Sequence, residues 1–114
     1  MDLTVARNRL EEIRADLDRS ISVLRGEHPN DRGGASSDAA DAGANLTEAD
    51  RNAAMLHSVQ AQRAEIVAAL ARVESGSFGR CVDCGQLVPD GRLEARPEAS
   101  RCVPCQGKRD RRRR

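Results

Sequence analysis

The chain has no tryptophan, no tyrosine and a single phenylalanine, Phe78, and among its many basic residues only Lys108 is a lysine. No apolar run approaches the roughly twenty residues that a bilayer-crossing helix requires. Each absence excludes something. Without large aromatic side chains the chain cannot fill a thick core, so thin aliphatic seams, a metal or a partner must supply its stability. Without Tyr or Trp there is no platform for stacking bases, and sequence-specific DNA binding is not expected. The first twenty residues carry no apolar run, so no signal peptide and no membrane anchor are expected, and the default location is the cytoplasm. No GxSxG, no phosphate-cradling glycine loop and no HExxH occurs in the sequence, and a catalytic role is not expected.

What is present is concentrated at one end. All four cysteines, Cys81, Cys84, Cys102 and Cys105, fall in a C-x2-C-x17-C-x2-C array. Two disulfides would need an oxidising compartment, to which nothing in the sequence directs the chain. Two C-x-x-C turns instead supply four thiolates to one tetrahedral ion at Zn–S distances of about 2.3 Å. The array therefore predicts a single structural Zn2+, closed to substrate water. Gly85 after Cys84 suits a knuckle whose backbone turns back to donate N–H groups to sulfur. Phe78, Leu87, Val88, Leu93 and Val103 are the expected apolar cluster of the finger.

The net charge of +1 conceals an asymmetry. The first 75 residues are acidic on balance, most strongly between positions 27 and 50, whereas the chain ends in KRDRRRR. One overall pI describes neither part.

Two helices are predicted before the finger. Over residues 2–25, Leu3, Leu10, Leu17 and Leu24 recur at heptad spacing with Ala6, Ile13 and Ser20 between them, a narrow coiled-coil seam. Gly26 stops this helix and Pro29 follows. Residues 26–45 hold four Gly, one Pro and no aliphatic side chain larger than Ala, which predicts a loop or frayed tip that the Ala-rich stretch after Asp38 shortens by a turn or two. Over residues 46–75, Leu56, Val59, Arg63, Ile66, Leu70 and Val73 follow a 3,4 spacing, with Thr47/Asp50 or Asn45/Glu48 as candidate caps. Two such helices cannot stand alone in water. The expected fold class is mainly α: an antiparallel helical hairpin over 1–75 with its tip at about 26–45, a four-cysteine zinc finger over 76–107, and a disordered basic tail over 108–114.

Three further groups invite a role. Lys108, Arg109, Arg111, Arg112, Arg113 and Arg114 are candidates for phosphate contacts, against a plainly solvated tail. Asp38 and Asp41 share one face of a helical turn, either to meet a cation or a basic channel at the end of a rod, or only to keep a loop soluble. His28 and His57 are not spaced to replace a cysteine ligand. The residues alone leave open a nucleic-acid-binding module, a structural adaptor and a thiol redox sensor.

The order of these parts resembles the DksA/TraR family of bacterial zinc-finger transcription regulators. The stretch that carries the likeness is FGRCVDCGQLVPDGRLEARPEASRCVPC, Phe78 to Cys105, with its FG-x-C-x-x-CG opening, central RLEARP and closing cysteine pair. The resemblance implies RNA polymerase as partner, the hairpin inserted in its secondary channel, and the acidic tip near the catalytic magnesium, often together with the alarmone ppGpp. The family's D-x-x-D-x-A tip pattern falls on Asp38 and Asp41, with Gly43 in place of its Ala.

Overall fold

In the computed structural model, residues 1–27 and 39–113 are described, with the side chains of 39–46 left out. Asp38, His28 and Arg114 thus lie outside the described residues, and of Asp41 only its place in a helix is known. Among the described residues, four helices occur in the order α1 (Leu3–Leu24), α2 (Ala39–Ser75), α3 (Asp90–Ala95) and α4 (Val103–Arg112). Among the described residues the only β pairing is an isolated antiparallel bridge, Arg80 to Leu87. No described helix is long and apolar enough to cross a membrane.

The chain forms two compact units, one of Met1–Ile13 with Glu65–Arg114 and one of Arg14–Ala64. Within each, a length of α1 runs antiparallel to a length of α2. Arg7 pairs with Glu74 at 3.2 Å in the first unit, and Arg63 pairs with Asp18 in the second. Arg63, which interrupts the apolar seam of α2, is thereby a cross-helix register contact.

The buried seam is narrow and small. Ala6, Leu10, Ile66, Ala69 and Val73 are buried in the first unit, and Ile21 in the second. Two heptad expectations fail. Leu3 is 46% exposed, and Ile21 is buried where Ser20 was expected, Ser20 being exposed. Ala6 and Leu10 are buried as expected, with Ile13 and Leu17 half-buried, but a strict seven-residue repeat drifts around a straight helix of 3.6 residues per turn, so the stripe passes from Leu17 to Ile21.

Helix ends follow their glycines. Gly76 lies at φ +83°, its N–H donating to the carbonyl of Val73 and that of Ser77 to Arg72. This is a Schellman closure, and Gly26 closes α1 in the same way through Val23 and Ser22. A Cβ at Gly76 would meet no atom within 4 Å, so Gly76→Ala isolates the backbone term. A loss of about 1–2 kcal/mol is expected, read as a lower urea midpoint.

One boundary meets expectation and one departs from it. α2 begins at Ala39, which is the backward extension of a turn or two expected of the Ala-rich stretch, and the suggested caps therefore lie inside the helix. Alanine's helix propensity outweighs the one glycine in that stretch. The tail read as disordered is instead helical as far as Arg112. Cys102 at the N-cap and Pro104 in the first turn start α4, and the Gln106 side chain donates to Asp110 one turn on at 2.9 Å.

Candidate metal centre

Residues 77–88 form a knuckle closed by backbone hydrogen bonds. The Cys81 N–H donates to Gln86 O at 2.7 Å, and the Val88 N–H to Gly79 O at 2.8 Å. Gly85, at φ +76°, makes the turn between the two partners, its N–H donating to Cys81 O at 2.9 Å. The second cysteine pair is delivered by α4, with Cys102 as N-cap and Cys105 in the first turn. The Val82 N–H donates to Ser100 O at 2.9 Å and ties the two halves together.

Beneath them lies a small apolar cluster. Cys81, Val88 and Leu93 are buried, and Met1, Phe78, Ala99, Cys102 and Cys105 pack around them. Leu87 and Val103 do not join it, being 69% and 60% exposed. Leu87 is displaced by the two-residue alternation of the knuckle, which turns Val88 inward, and Val103 by its place on the outer side of the first turn of α4. The fully buried Pro97 was not foreseen. Its only sequence cue was its place in RLEARP.

Arginine side chains hold the finger against the helix ends of its own unit. Arg9 donates to Glu94 O at 2.6 Å and Arg72 to Glu98 O at 3.3 Å. Arg92 donates to Arg101 O at 3.0 Å, and Arg101 pairs with Asp83 at 2.8 Å. The guanidinium forks thus satisfy carbonyls that the short loops leave unpaired.

The four sulfur atoms all lie within 4.8 Å of one another. Cys84 Sγ and Cys102 Sγ are 3.8 Å apart, the edge of roughly 3.8 Å that a tetrahedron with Zn–S bonds of about 2.3 Å produces. A disulfide would require about 2.05 Å, and all four cysteines are free. Donor type, number and spacing therefore fit one tetrahedral zinc ion. Bound there, zinc would supply cross-links between knuckle and helix, with every position filled by protein.

The backbone prepares the sulfurs for a cation. Burial pushes the Cys81 thiol up, but backbone hydrogen bonds from Cys102, Cys84 and Asp83 outweigh it and hold the group at about 6. At Cys84 the backbone hydrogen bond from Gln86 lowers the pKa, yet burial and the neighbouring Cys81 and Cys102 thiols leave it raised. Cys105 is pushed up to about 12 by Cys102 and Cys81, with burial adding to the effect. One thiolate thus forms readily at Cys81, while Cys84 and Cys105 resist ionisation until a cation neutralises the cluster. The N–H groups at sulfur belong to Asp83, Cys84, Gln86 and Cys102, whereas that of Gly85 is taken by a carbonyl.

The comparisons with known proteins agree with this construction. Residues 76–111 match the prokaryotic dksA/traR C4-type zinc finger family. Over 106 residues the chain is 34% identical to proteins described as "RNA polymerase-binding transcription factor DksA" from two strains of Caulobacter vibrioides, NA1000 / CB15N and ATCC 19089 / CIP 103742 / CB 15, covering 91% of this chain and 70% of each relative. The solved structure of transcription factor DksA2 from Pseudomonas aeruginosa superposes with a TM-score of 0.82 at 25% identity, over 97% of this chain and 84% of that one. With the C4 centre, the helical hairpin and a relative of this identity and coverage, the chain belongs to the DksA/TraR family of zinc-finger proteins.

Proposed function

We propose that this protein binds RNA polymerase and regulates transcription by entering the enzyme's secondary channel with its helical hairpin. The observation that carries the reading is the pairing of a C4 finger with antiparallel helices, in a chain that covers 70% of the length of relatives described as RNA polymerase-binding transcription factors. The finger sets the base from which the helices leave, through Arg9 and Arg72 and the apolar cluster. Asp38 and Asp41 act at the hairpin tip by electrostatics, as acids near a polymerase-bound cation, and form no covalent intermediate. The role is regulatory, not enzymatic: a closed four-thiolate centre leaves no coordination position for substrate. The setting is the cytoplasm, where polymerase works.

Co-purification with core RNA polymerase tests this, comparing the wild-type protein with Asp38→Asn/Asp41→Asn. Both proteins are expected to bind, and only the wild type to alter the lifetime of promoter complexes. Failure of both to bind removes the polymerase reading. Equal binding and equal transcriptional effect removes the tip assignment alone.

A further inference from the structure

Each cysteine pair carries a charged residue at its shoulder. Asp83 lies inside the first C-x-x-C, next to the exposed Cys84, and Arg101 directly precedes Cys102. Arg101 Nε donates to the Asp83 carboxylate at 2.8 Å. Among the described residues, no other ion pair joins the knuckle to the segment that carries the second cysteine pair. Both partners are held from behind. The Arg101 carbonyl accepts from Arg92 of α3 at 3.0 Å, and Arg101 Nη1 donates to Ser100 Oγ at 3.3 Å. The backbone N–H of Asp83 donates to the Cys81 sulfur.

An ion pair between exposed side chains contributes little to stability, because water and salt screen it and two long side chains must be ordered. The pair of Arg96 with Glu98 at 3.5 Å, in the same finger, has its arginine 66% exposed and touches no residue beside a cysteine. The Arg101 side chain is only 18% exposed, and its pair lies between two residues that flank sulfur ligands. Four sulfurs on two stretches of chain close on one ion only when those stretches are held at a fixed distance. Groups that orient metal ligands from outside the coordination shell change affinity by about 10–100-fold when they are removed.

We infer that Asp83 and Arg101 are positioning residues for the metal centre: their ion pair latches the knuckle to the start of α4 and slows the escape of a bound ion from the four sulfurs. Asp83 acts through its own N–H on Cys81, and Arg101 through the placement of Cys102. The inference rests on the four-cysteine centre and is independent of the polymerase reading.

Mixing the zinc-loaded, full-length protein with an excess of chromophoric chelator measures the release rate directly. Asp83→Ala and Arg101→Ala should each release zinc about 10-fold faster than the wild type. The double variant should be no faster than the faster single one, since the same contact is lost only once. Arg101→Lys, which keeps a cationic donor, should restore most of the slow release, and Arg96→Ala should match the wild type. A second readout is the sulfur-to-metal charge-transfer band of the cobalt(II)-loaded protein. Asp83→Ala should move it to longer wavelength, because a loosened N–H leaves the Cys81 sulfur a stronger donor, and Arg96→Ala should leave it in place. If Arg101→Ala does not load metal, Asp83→Ala, at the more exposed partner, carries the comparison through both readouts. The latch is overturned if Asp83→Ala releases zinc at the wild-type rate, or if the two single effects multiply in the double variant. It is equally overturned if Arg96→Ala speeds release as much, which would assign the effect to general stability of the finger.

Discussion

Cys105→Ser, or treatment with a strong chelator, is expected to empty the metal centre and unfold residues 77–107. Metal binding to small C4 and related fingers contributes on the order of 10–16 kcal/mol at neutral pH, far more than the buried side chains of Cys81, Val88, Leu93 and Pro97 can supply. Cys84 is exposed, so a chelator reaches the centre without prior unfolding. The readout is loss of one equivalent of zinc together with loss of amide-exchange protection at Val82 and Val88, whose N–H groups bond to Ser100 and Gly79. Helical signal from residues 14–64 should persist. Retained protection after complete zinc removal would refute the assignment of a metal-dependent finger. Acid should act in the same direction. Cys84 and Cys105 hold their protons more tightly than an ordinary thiol, and both must release them to bind zinc. Affinity therefore falls as pH falls, a trend that competition with a chromophoric chelator measures directly.

The second large effect is expected at Leu10. It is fully buried in a seam otherwise made of Ala6, Ile66, Ala69 and Val73. A two-helix seam has few neighbours that can move in to fill a void, so Leu10→Ala should cost about 2–5 kcal/mol. Leu3, in the same predicted repeat but 46% exposed, provides the contrast: Leu3→Ala should cost under about 1 kcal/mol. Urea titrations followed by helical ellipticity decide the matter. Equal losses at the two positions would restore the strict heptad seam and contradict the shifted stripe.

The ease of reading this sequence varied with the range of the interaction. Cysteine spacing is local chemistry: two residues between each pair and a closed tetrahedral shell leave little freedom, and the sulfurs do cluster within 4.8 Å. The glycine stops at Gly26 and Gly76 are equally local, since a left-handed cap depends on one residue and the turn before it. The heptad pattern gave the hairpin but misplaced its edges, because a repeat counted in sevens ignores the drift of a straight helix. Leu87 and Val103 looked like core by composition and are surface. Which neighbour of a cysteine points inward depends on the path of the knuckle, and composition does not record that path.

Fold class, metal chemistry and the helix stops were set by residue type and spacing alone, since each arises from forces acting over a few residues. Tertiary structure decided the rest. It moved Ile21 into the seam in place of Ser20, buried Pro97, and recruited Arg9 and Arg72 to carbonyls of the finger. It also turned a run of arginines read as a loose tail into one wall of a cleft beside the sulfurs. Those outcomes depend on which surfaces meet across long stretches of chain, where burial and charge satisfaction are settled jointly and not residue by residue.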